Sequence, residues 1–303
     1  MTGVQIREIR EDELERWVAA SNAALPVPGT VEEFADWKRQ ATETAWLLAS
    51  DGPRDVGVAI GVGGWHEPPG VARTELGVVP EARGRGIGSA LLQGVGSWAS
   101  ALGYRELMGT VQAADAASLA WTERRGFAEV SRTTRLVLDL TEIEAPAVAP
   151  PPGIEIVTWA ERPELARGIY AVACEAYPDV PDWENEQMPS FEDWLSMDMQ
   201  GASDRPEATF VALAGDEVVG YAKLHLSPSL PDVGSHDMKG VLRSWRQRGI
   251  GGALKRAEIA WAKQNGYTKL RTAPEDRNEP SRRLNERYGY RPEPGEVTVQ
   301  GPV

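Results

Sequence analysis

Two segments rich in arginine and glycine have the composition needed to bind an anion. They read Arg83-Gly-Arg-Gly-Ile-Gly88 and Arg246-Gln-Arg-Gly-Ile-Gly251, and each stands between a strand pattern and a long helical pattern. The first turn of a helix offers unpaired N–H groups and the positive end of the helix dipole. Glycine allows these amides to approach an anion closely, and arginine adds charge-assisted hydrogen bonds. The two segments therefore predict phosphate-binding loops.

Other phosphate loops fit these segments less well. A P-loop requires Gly-Lys followed by Ser or Thr, which neither segment contains. The dinucleotide fingerprint requires glycine where Leu91 stands when the series starts at Gly86. A glycine turn that only connects strand to helix is the remaining alternative, and two copies in the same context argue against it.

The segments must be positioned by the elements around them, and those elements occur twice. An offset of 163 residues carries Arg83 to Arg246 and relates many other identical pairs. These pairs are Gly57–Gly220, Gly86–Gly249, Leu91–Leu254, Trp98–Trp261, Gly103–Gly266, Tyr104–Tyr267 and Gly126–Gly289. Four prolines occur between residues 145 and 153, which indicates a stiff connector. The pattern predicts domains at 1–145 and 154–303, with a linker at 146–153.

Each half shows the same order of helix and strand patterns. A strand and two helices precede two strands joined by a turn, and the second helix of the first half opens with the capping-box pattern Thr30-Val-Glu-Glu33. A further strand enters the glycine-rich loop and its long helix, and another strand, a shorter helix and a final strand follow. This order predicts an α+β fold with a mixed, mostly antiparallel sheet and helices on both faces.

Composition and charge restrict the class of protein. The 303 residues suffice for two domains, and the net charge of −13 argues against a nucleic-acid binder and favours a cationic partner such as an amine. The absence of a signal-peptide pattern and of an apolar run of about 18 residues predicts a cytoplasmic protein without membrane spans. Cys174 is the only cysteine, so an internal disulfide is excluded. We expect no metal, and a monomer or homodimer.

The loop pattern resembles motif A of the GNAT superfamily of N-acetyltransferases. The resemblance extends to Val78-Val79-Pro80 before the first loop and to Gly126-Phe127 after the next helix. The second half is similar to the C-terminal half of bacterial tandem GNAT proteins at Thr272, Asn278 and Asn285, but it has Pro274 and Ser281 where Asn and Met are usual. The resemblance covers almost the whole chain and implies two tandem GNAT domains.

The resemblance to this family implies acetyl-CoA as cofactor. Its pantetheine is expected to pair with the strand before each loop, in a gap between two splayed parallel strands, and its pyrophosphate to lie on the loop. The implied pantetheine residues are Val78 and Val79 in the first half, and Val241 and Leu242 in the second. The implied pyrophosphate residues are Arg83, Gly84, Arg85, Gly86, Ile87, Gly88 and Ser89, and Arg246, Gln247, Arg248, Gly249, Ile250, Gly251 and Gly252. Asn278 is a further expected cofactor contact.

The chemistry requires a base, because a primary amine is protonated at pH 7. Glu75, on the strand before the first loop, is the candidate, although an exposed strand carboxylate is an equally good interpretation. Asp237 and His236 are weaker candidates in the second half. The tyrosine that many GNAT enzymes use as general acid is replaced by Thr122 and Asn285, which leaves water to protonate the thiolate.

The sequence therefore predicts an acetyl-CoA-dependent N-acetyltransferase that moves an acetyl group to a primary amine by direct attack in a ternary complex. A small cationic molecule is the expected acceptor. The alternatives are transfer to a protein lysine or N-terminus, and acyl-CoA binding without catalysis; a Rossmann oxidoreductase is disfavoured by the glycine spacing. Both loops are complete, and the retention of Pro80 and Glu75 favours the first half as the catalytic one.

Overall fold

A computed structural model describes residues 3–64, 68–179, 188–272 and 279–303, and local sequence signals set where several of its helices begin. Thr30 precedes the second helix as its N-cap: its hydroxyl accepts from the Glu33 amide, and the Glu33 carboxylate accepts from the Thr30 amide. The predicted capping box is therefore present. Ser190 caps the corresponding helix of the second half by accepting from the Asp193 amide.

The described residues contain twelve strands and eight α-helices. The strands are β1 (Gln5–Glu8), β2 (Glu43–Asp51), β3 (Arg54–Gly63), β4 (Val71–Val78), β5 (Glu106–Gln112), β6 (Ala128–Asp139), β7 (Glu155–Thr158), β8 (Thr209–Ala214), β9 (Glu217–His225), β10 (Val233–Val241), β11 (Lys269–Thr272) and β12 (Arg291–Pro302). The helices are α1 (Leu14–Ala24), α2 (Val31–Gln40), α3 (Ile87–Ala101), α4 (Ala116–Glu123), α5 (Ala166–Ala176), α6 (Phe191–Asp198), α7 (Ile250–Gln264) and α8 (Glu279–Arg287). Within this part of the chain, no helix has the length and apolar character required to cross a membrane.

The chain forms two compact units. Unit 1 comprises Met1–Thr134 and Pro294–Val303, and unit 2 comprises Arg135–Glu293. In unit 1 the strands lie in the order β1-β2-β3-β4-β5-β12, with β4 parallel to β5 and the other neighbouring strands antiparallel. Unit 2 repeats this arrangement as β7-β8-β9-β10-β11-β6, with β10 parallel to β11. The predicted α+β class with a mixed, mostly antiparallel sheet is confirmed.

Each unit takes one strand from the other half of the sequence. The 294–302 part of β12 belongs to unit 1, where Glu296 to Pro302 pair with Gln112 to Glu106 of β5. The 136–139 part of β6 belongs to unit 2, where it pairs with β11. The compact units therefore do not coincide with the continuous halves 1–145 and 154–303 predicted from the repeat. The physical reason is that the vacant edge of β5 is filled by a strand distant in sequence.

Apolar side chains cover both faces of the sheet in unit 1. On one face, α3 packs through Ile87, Leu91 and Val95 against a cluster that includes Leu107 and Val297. On the other, α1 and α2 pack over an aromatic group in which Trp17 lies edge-on to Trp46 and Phe34. In unit 2, α7 covers one face, and α5 and α6 cover the other. Helices therefore lie on both faces, as the sequence predicts.

The strand exchange predicts where destabilising substitutions act. Val297 is fully buried in the core of unit 1, and Leu138 is fully buried in unit 2. We expect Val297→Ala to lower the free energy of unfolding of unit 1 by about 1–3 kcal/mol, because it leaves a cavity in a packed core. Hydrogen exchange should accelerate in α3 and remain unchanged in α7. Leu138→Ala is the matched control and should accelerate hydrogen exchange in α7 but not in α3. Faster hydrogen exchange in α7 of the Val297→Ala variant would contradict the assignment of residues 294–302 to unit 1.

Candidate active site

A gap opens in the sheet of unit 1 where β4 and β5 separate. The two strands pair from Val71 with Glu106 to Arg73 with Met108, and the pairing ends there. Beyond that point β4 continues on β3 as far as Val78, and β5 continues on β12. Unit 2 has the same arrangement, because the pairing of β10 with β11 ends at Ser235 with Arg271. Among the described residues, each gap therefore leaves main-chain polar groups on the edge of β4 or β10 without a strand partner.

The direction of the backbone amides decides which residues face the gap. Val79 donates its amide to the Val56 carbonyl at 3.0 Å, on the side of β3. Neighbouring residues of a strand direct their hydrogen-bonding groups to opposite sides, so the Val78 amide faces the gap. Leu242 likewise donates to Val219 at 3.0 Å, which directs the Val241 amide into the gap of unit 2. Val78 and Val241, rather than Val79 and Leu242, present their main-chain polar groups there.

The loop after β4 holds a backbone conformation that favours glycine. Gly84 and Gly86 have φ of 76° and 84°, and Gly86 is the N-cap of α3. A Cβ atom at either position would meet nothing within 4 Å, so there is open space above the loop. The preference for glycine therefore comes from the positive φ of the backbone and not from crowding by neighbouring atoms. The first intrahelical bond runs from Ala90 to Gly86. The amides of the preceding turn are therefore oriented for an anion.

The side chains of this loop have different contacts. Arg83 donates through Nε to the Val78 carbonyl at 3.0 Å, so this guanidinium braces the loop against the end of β4. Arg85 pairs with Asp51 at 2.7 Å. Ile87 is buried in the core and can offer an anion only its main chain. The predicted loop residues are thus together in space, and the amides are the groups that remain directed outward.

The loop of unit 2 has the same backbone but different side-chain partners. Gln247 adopts φ of 61° where unit 1 has Gly84, and Gly249 is the αL N-cap of α7. Arg246 repeats the Arg83 contact by donating to the Val241 carbonyl at 3.0 Å. Arg246 also forms an ion pair with Asp179 at 2.6 Å, so one arginine of this loop already has a carboxylate partner. Asn278, the further cofactor contact expected from the sequence, lies outside the described residues.

A cavity of about 380 Å³ adjoins the gap of unit 1. Thr74 and Glu75 of β4 line it beside Gly109 and Thr110 of β5, and Thr298 of β12 forms part of the wall. The rest of the lining consists of Trp37, Ile60, Val62, Arg73, Met108, Val130 and Ser131. The candidate base therefore lies in a cavity that opens beside the main-chain edge of the gap.

The sequence that forms the gap and the glycine loop matches a known protein family. The family model described as "Acetyltransferase (GNAT) family" matches residues 6–127 and again residues 166–290. The chain belongs to the acetyltransferase (GNAT) family. The two matches also confirm the predicted pair of GNAT repeats.

Solved structures support the same fold over the whole chain. A tandem GNAT protein from the clavulanic acid biosynthesis pathway has 20% identity, with coverage of 99% of this chain and 98% of that one and a TM-score of 0.75. A GCN5-related N-acetyltransferase from Sphaerobacter thermophilus has 22% identity, with coverage of 99% and 95% and a TM-score of 0.68. No curated protein matches the chain at a significant level.

Three effects determine the proton affinity of Glu75 in the GNAT unit that contains the cavity. Solvent reaches its carboxylate through the cavity, but the surrounding protein removes much of the hydration that stabilises a charge. Burial therefore raises the pKa of Glu75; repulsion from Glu296 raises it further, and Arg73 opposes the shift. A carboxylate with a raised pKa is a stronger base than an ordinary glutamate. Glu75 stays a predicted base, now with an environment suited to that role.

Glu296 provides a prediction on pH dependence. It lies on β12, where its Oε1 accepts from Gln112 Nε2 at 3.0 Å. Glu296→Gln removes a negative charge facing Glu75 and should lower the Glu75 pKa. A carboxylate accepts a proton only in its deprotonated form, so with Glu75 as the predicted base the acid limb of the kcat/KM profile for acetyl transfer should move to lower pH.

Glu106→Gln is the matched control for that experiment. Glu106 accepts from Gln300 at 2.9 Å, so it forms a second Glu–Gln pair between β5 and β12 at the other end of the register. This variant should leave the acid limb unchanged. An equal shift of the acid limb in both variants, or no shift in Glu296→Gln, would show that Glu296 does not affect the Glu75 pKa.

The candidate bases of the second GNAT repeat are engaged by other side chains. Asp237 forms an ion pair with Lys223 at 3.0 Å. The side chain of His236 is only 7% exposed and lies 2.5 Å from the Tyr290 hydroxyl and 3.0 Å from Glu258. Burial lowers the pKa of His236 to about 4, although Glu258 opposes this shift. Neither side chain is placed as an open base, in contrast to Glu75.

The positions of the usual GNAT tyrosine contain side chains with local roles. Thr122 donates its hydroxyl to the Leu119 carbonyl at 2.8 Å, within its own helix. Asn285 is buried, and its Oδ1 has no hydrogen-bond partner among the described residues. Neither supplies a phenol, so protonation of the thiolate by water stays the prediction for both repeats.

Two residues near the first loop escaped the sequence reasoning. Arg125 stacks on Trp121, with its guanidinium 3.8 Å from the ring centroid, and donates to Ser89 in the first turn of α3 at 2.5 Å. Within the described residues Arg125 has no carboxylate partner, and burial lowers its pKa. A cation placed beside a helix N-terminus is suited to a phosphate. The spacing of four residues between Trp121 and Arg125 was the available signal.

Proposed function

We propose that unit 1 is an acetyl-CoA-dependent N-acetyltransferase site for a small primary amine. The observation that carries this proposal is the position of Glu75, in a cavity that adjoins the gap between β4 and β5. The gap provides the main-chain edge for a thioester-bearing arm, and the cavity provides room for an amine. The two reactants would be held together at the end of the gap, which supplies rate by proximity.

The residues present fit acetyl-CoA. Open space lies above Gly84 and Gly86, the first amides of α3 have no acceptor in the part of the chain that the structure describes, and Arg125 adds a positive charge. We assign the pyrophosphate to residues 83–89 and 246–252, and pantetheine to the edges formed by Val78 and Val241. Acetyl-CoA, when bound, supplies the acetyl group as an activated thioester. The protein supplies orientation, an amide donor and a base.

The chain's own groups then act on the acceptor. Glu75 removes the proton of the ammonium group and so exposes the nitrogen lone pair. The amide of Val78 faces the gap and can donate to an oxygen placed there, in the manner of an oxyanion hole. With acetyl-CoA bound, the nitrogen would attack the thioester carbonyl carbon directly, the carbon–sulfur bond would break, and no side chain of the enzyme would become acylated. The nitrogen would lose its second proton to water, and the released thiolate would take a proton from water, because the Thr122 hydroxyl is engaged with the Leu119 carbonyl.

The dimensions and charge of the site favour a small cationic acceptor. The cavity has about 380 Å³ and is walled by Trp37, Val130 and Thr298. Glu75 lies within it, and Glu296 adds a second negative charge close enough to affect Glu75. The net charge of −13 attracts cations over a longer range. A protein lysine or N-terminus requires an open groove and is the runner-up.

The test is acetyl transfer by the purified chain to a panel of amines. The panel contains polyamines, aminoglycosides, amino sugars and a lysine-containing peptide, with thiol release followed and product mass determined. We expect turnover with a small di- or polycationic amine and none with the peptide. Turnover of the peptide alone would establish the runner-up. Binding of acetyl-CoA by calorimetry, with thiol release at the hydrolysis rate for every amine, would leave a non-catalytic acyl-CoA-binding protein.

A further inference from the structure

Lys223 stands at the place in unit 2 that corresponds to the cavity wall of unit 1. The repeat offset of 163 residues relates it to Ile60, which pairs with Glu75 across β3 and β4 and lines the cavity. In unit 2 the pairing of β9 with β10 shifts by one residue between His236 and Lys239, and Lys223 lies on β9 opposite this bulge. Asp237 belongs to the bulge. An apolar residue facing a base in unit 1 is thus replaced by a lysine facing an aspartate.

The Lys223 ammonium is enclosed by carboxylates. Its Nζ lies 2.9 Å from Asp204, 3.0 Å from Asp237 and 3.5 Å from Asp198, and it also donates to the Asp198 carbonyl. Its side chain is only 3% exposed. Tyr177 donates its hydroxyl to Asp198 at 2.8 Å, which holds that carboxylate in place. An amine is therefore already present at this site, and it is a part of the chain.

The charge state of Lys223 prevents it from reacting. Burial alone would lower the pKa of this lysine, but attraction to Asp237, Asp198 and Asp204 outweighs burial and holds the pKa well above its usual value. The group is an ammonium at every physiological pH. It has no free lone pair, so it is not a nucleophile.

We propose that the Lys223 ammonium occupies the acceptor position of unit 2, so that this unit binds CoA without accepting an amine. The proposal rests on the proposed function of unit 1, whose cavity defines where an acceptor lies. The duplicated fold then has two different uses: unit 1 is open to an external amine, and unit 2 carries an internal one in its place. Unit 2 takes the acyl-CoA class of ligand alone.

Introducing a lysine at the corresponding position of unit 1 tests the proposal without altering unit 2. Ile60→Lys places an ammonium opposite Glu75, as Lys223 lies opposite Asp237. We expect acetyl transfer to fall by at least about 100-fold, because the acceptor can no longer reach its position. Acetyl-CoA titration should show an unchanged number of sites. Ile60→Met alters the cavity wall without adding a charge, so the fall of about 100-fold expected for Ile60→Lys is measured against Ile60→Met rather than against the wild type. Full transfer by Ile60→Lys would overturn the proposal.

A second experiment acts on unit 2 and does not require turnover. Lys223→Ala removes the ammonium and leaves a space that n-butylammonium can fill between the carboxylates. We expect n-butylamine to raise the melting temperature of Lys223→Ala but not of the wild type, and n-butanol to raise neither. No response of a folded Lys223→Ala variant to n-butylamine would contradict the proposal. If the wild type acetylates no amine at all, the proposed function of unit 1 fails, and this melting experiment still decides whether an ammonium belongs at this site.

Discussion

Gly86→Glu should reduce acetyl transfer to the background rate. The new side chain projects into the space above the loop, where a Cβ atom meets no protein atom and the pyrophosphate is expected. Its carboxylate repels the phosphates and competes for the amides at the start of α3. A glutamate also adopts φ of 84° at a cost of roughly 1–2 kcal/mol. Steady-state transfer and calorimetric titration with acetyl-CoA measure both consequences.

Two variants separate the causes of that loss. Gly86→Ala carries the backbone strain without the carboxylate, so it should bind acetyl-CoA far better than Gly86→Glu. Gly249→Glu makes the same change at the loop of unit 2, where the N-cap has φ of 85°. It should abolish binding at unit 2 and leave transfer intact. Loss of transfer in Gly249→Glu, with Gly86→Glu active, would assign catalysis to the other unit.

Glu75→Gln should lower kcat/KM for acetyl transfer by roughly 10²–10⁴-fold, the usual contribution of a positioned general base. Glutamine keeps the size of the side chain and loses the ability to accept the ammonium proton. The pKa of Glu75 is raised, so wild-type activity should fall as the pH decreases through that value. In Glu75→Gln this acid limb should disappear. The measurement is kcat/KM against pH with a good amine acceptor.

The affinity for acetyl-CoA is the internal control of this experiment. Glu75 lines the cavity, while the phosphate loop lies beyond the end of β4, so calorimetric titration should give the same affinity in the variant and the wild type. A variant that binds acetyl-CoA normally and also transfers normally would reduce Glu75 to an exposed strand residue. The base would then have to be sought elsewhere in the cavity.

The parts of the site that sequence reasoning found are those encoded locally. The loop could be predicted because Gly84, Gly86 and the helix that follows are contiguous, and their backbone requirement shows directly in residue type. The repeat was visible for the same reason, since identical residues recur at a constant offset. The capping box at Thr30 is also local. These features needed no knowledge of which strands become neighbours.

The parts that sequence reasoning missed depend on contacts between distant segments. The pairing of β12 with β5 joins residues almost two hundred positions apart, and no local pattern in 294–302 states which edge it fills. The partners of Lys223 come from two other segments, residues 198–204 and β10, so the sequence showed only a lysine in a strand. Asp237 looked like a free carboxylate for the same reason. Charges that neutralise each other across a fold cannot be recognised before the fold is known.

The exchange of β12 also affects the order in which the chain can mature during synthesis. Residues 3–134 leave the ribosome first, but Val297 and Val299, which complete the core around Leu107, are made 163 and 165 residues after Thr134. At roughly 5–20 residues per second this delay is on the order of ten seconds or longer. During it, β5 presents an unpaired edge that is open to wrong partners. A premature stop codon before Pro294 therefore damages the half of the protein that was translated first.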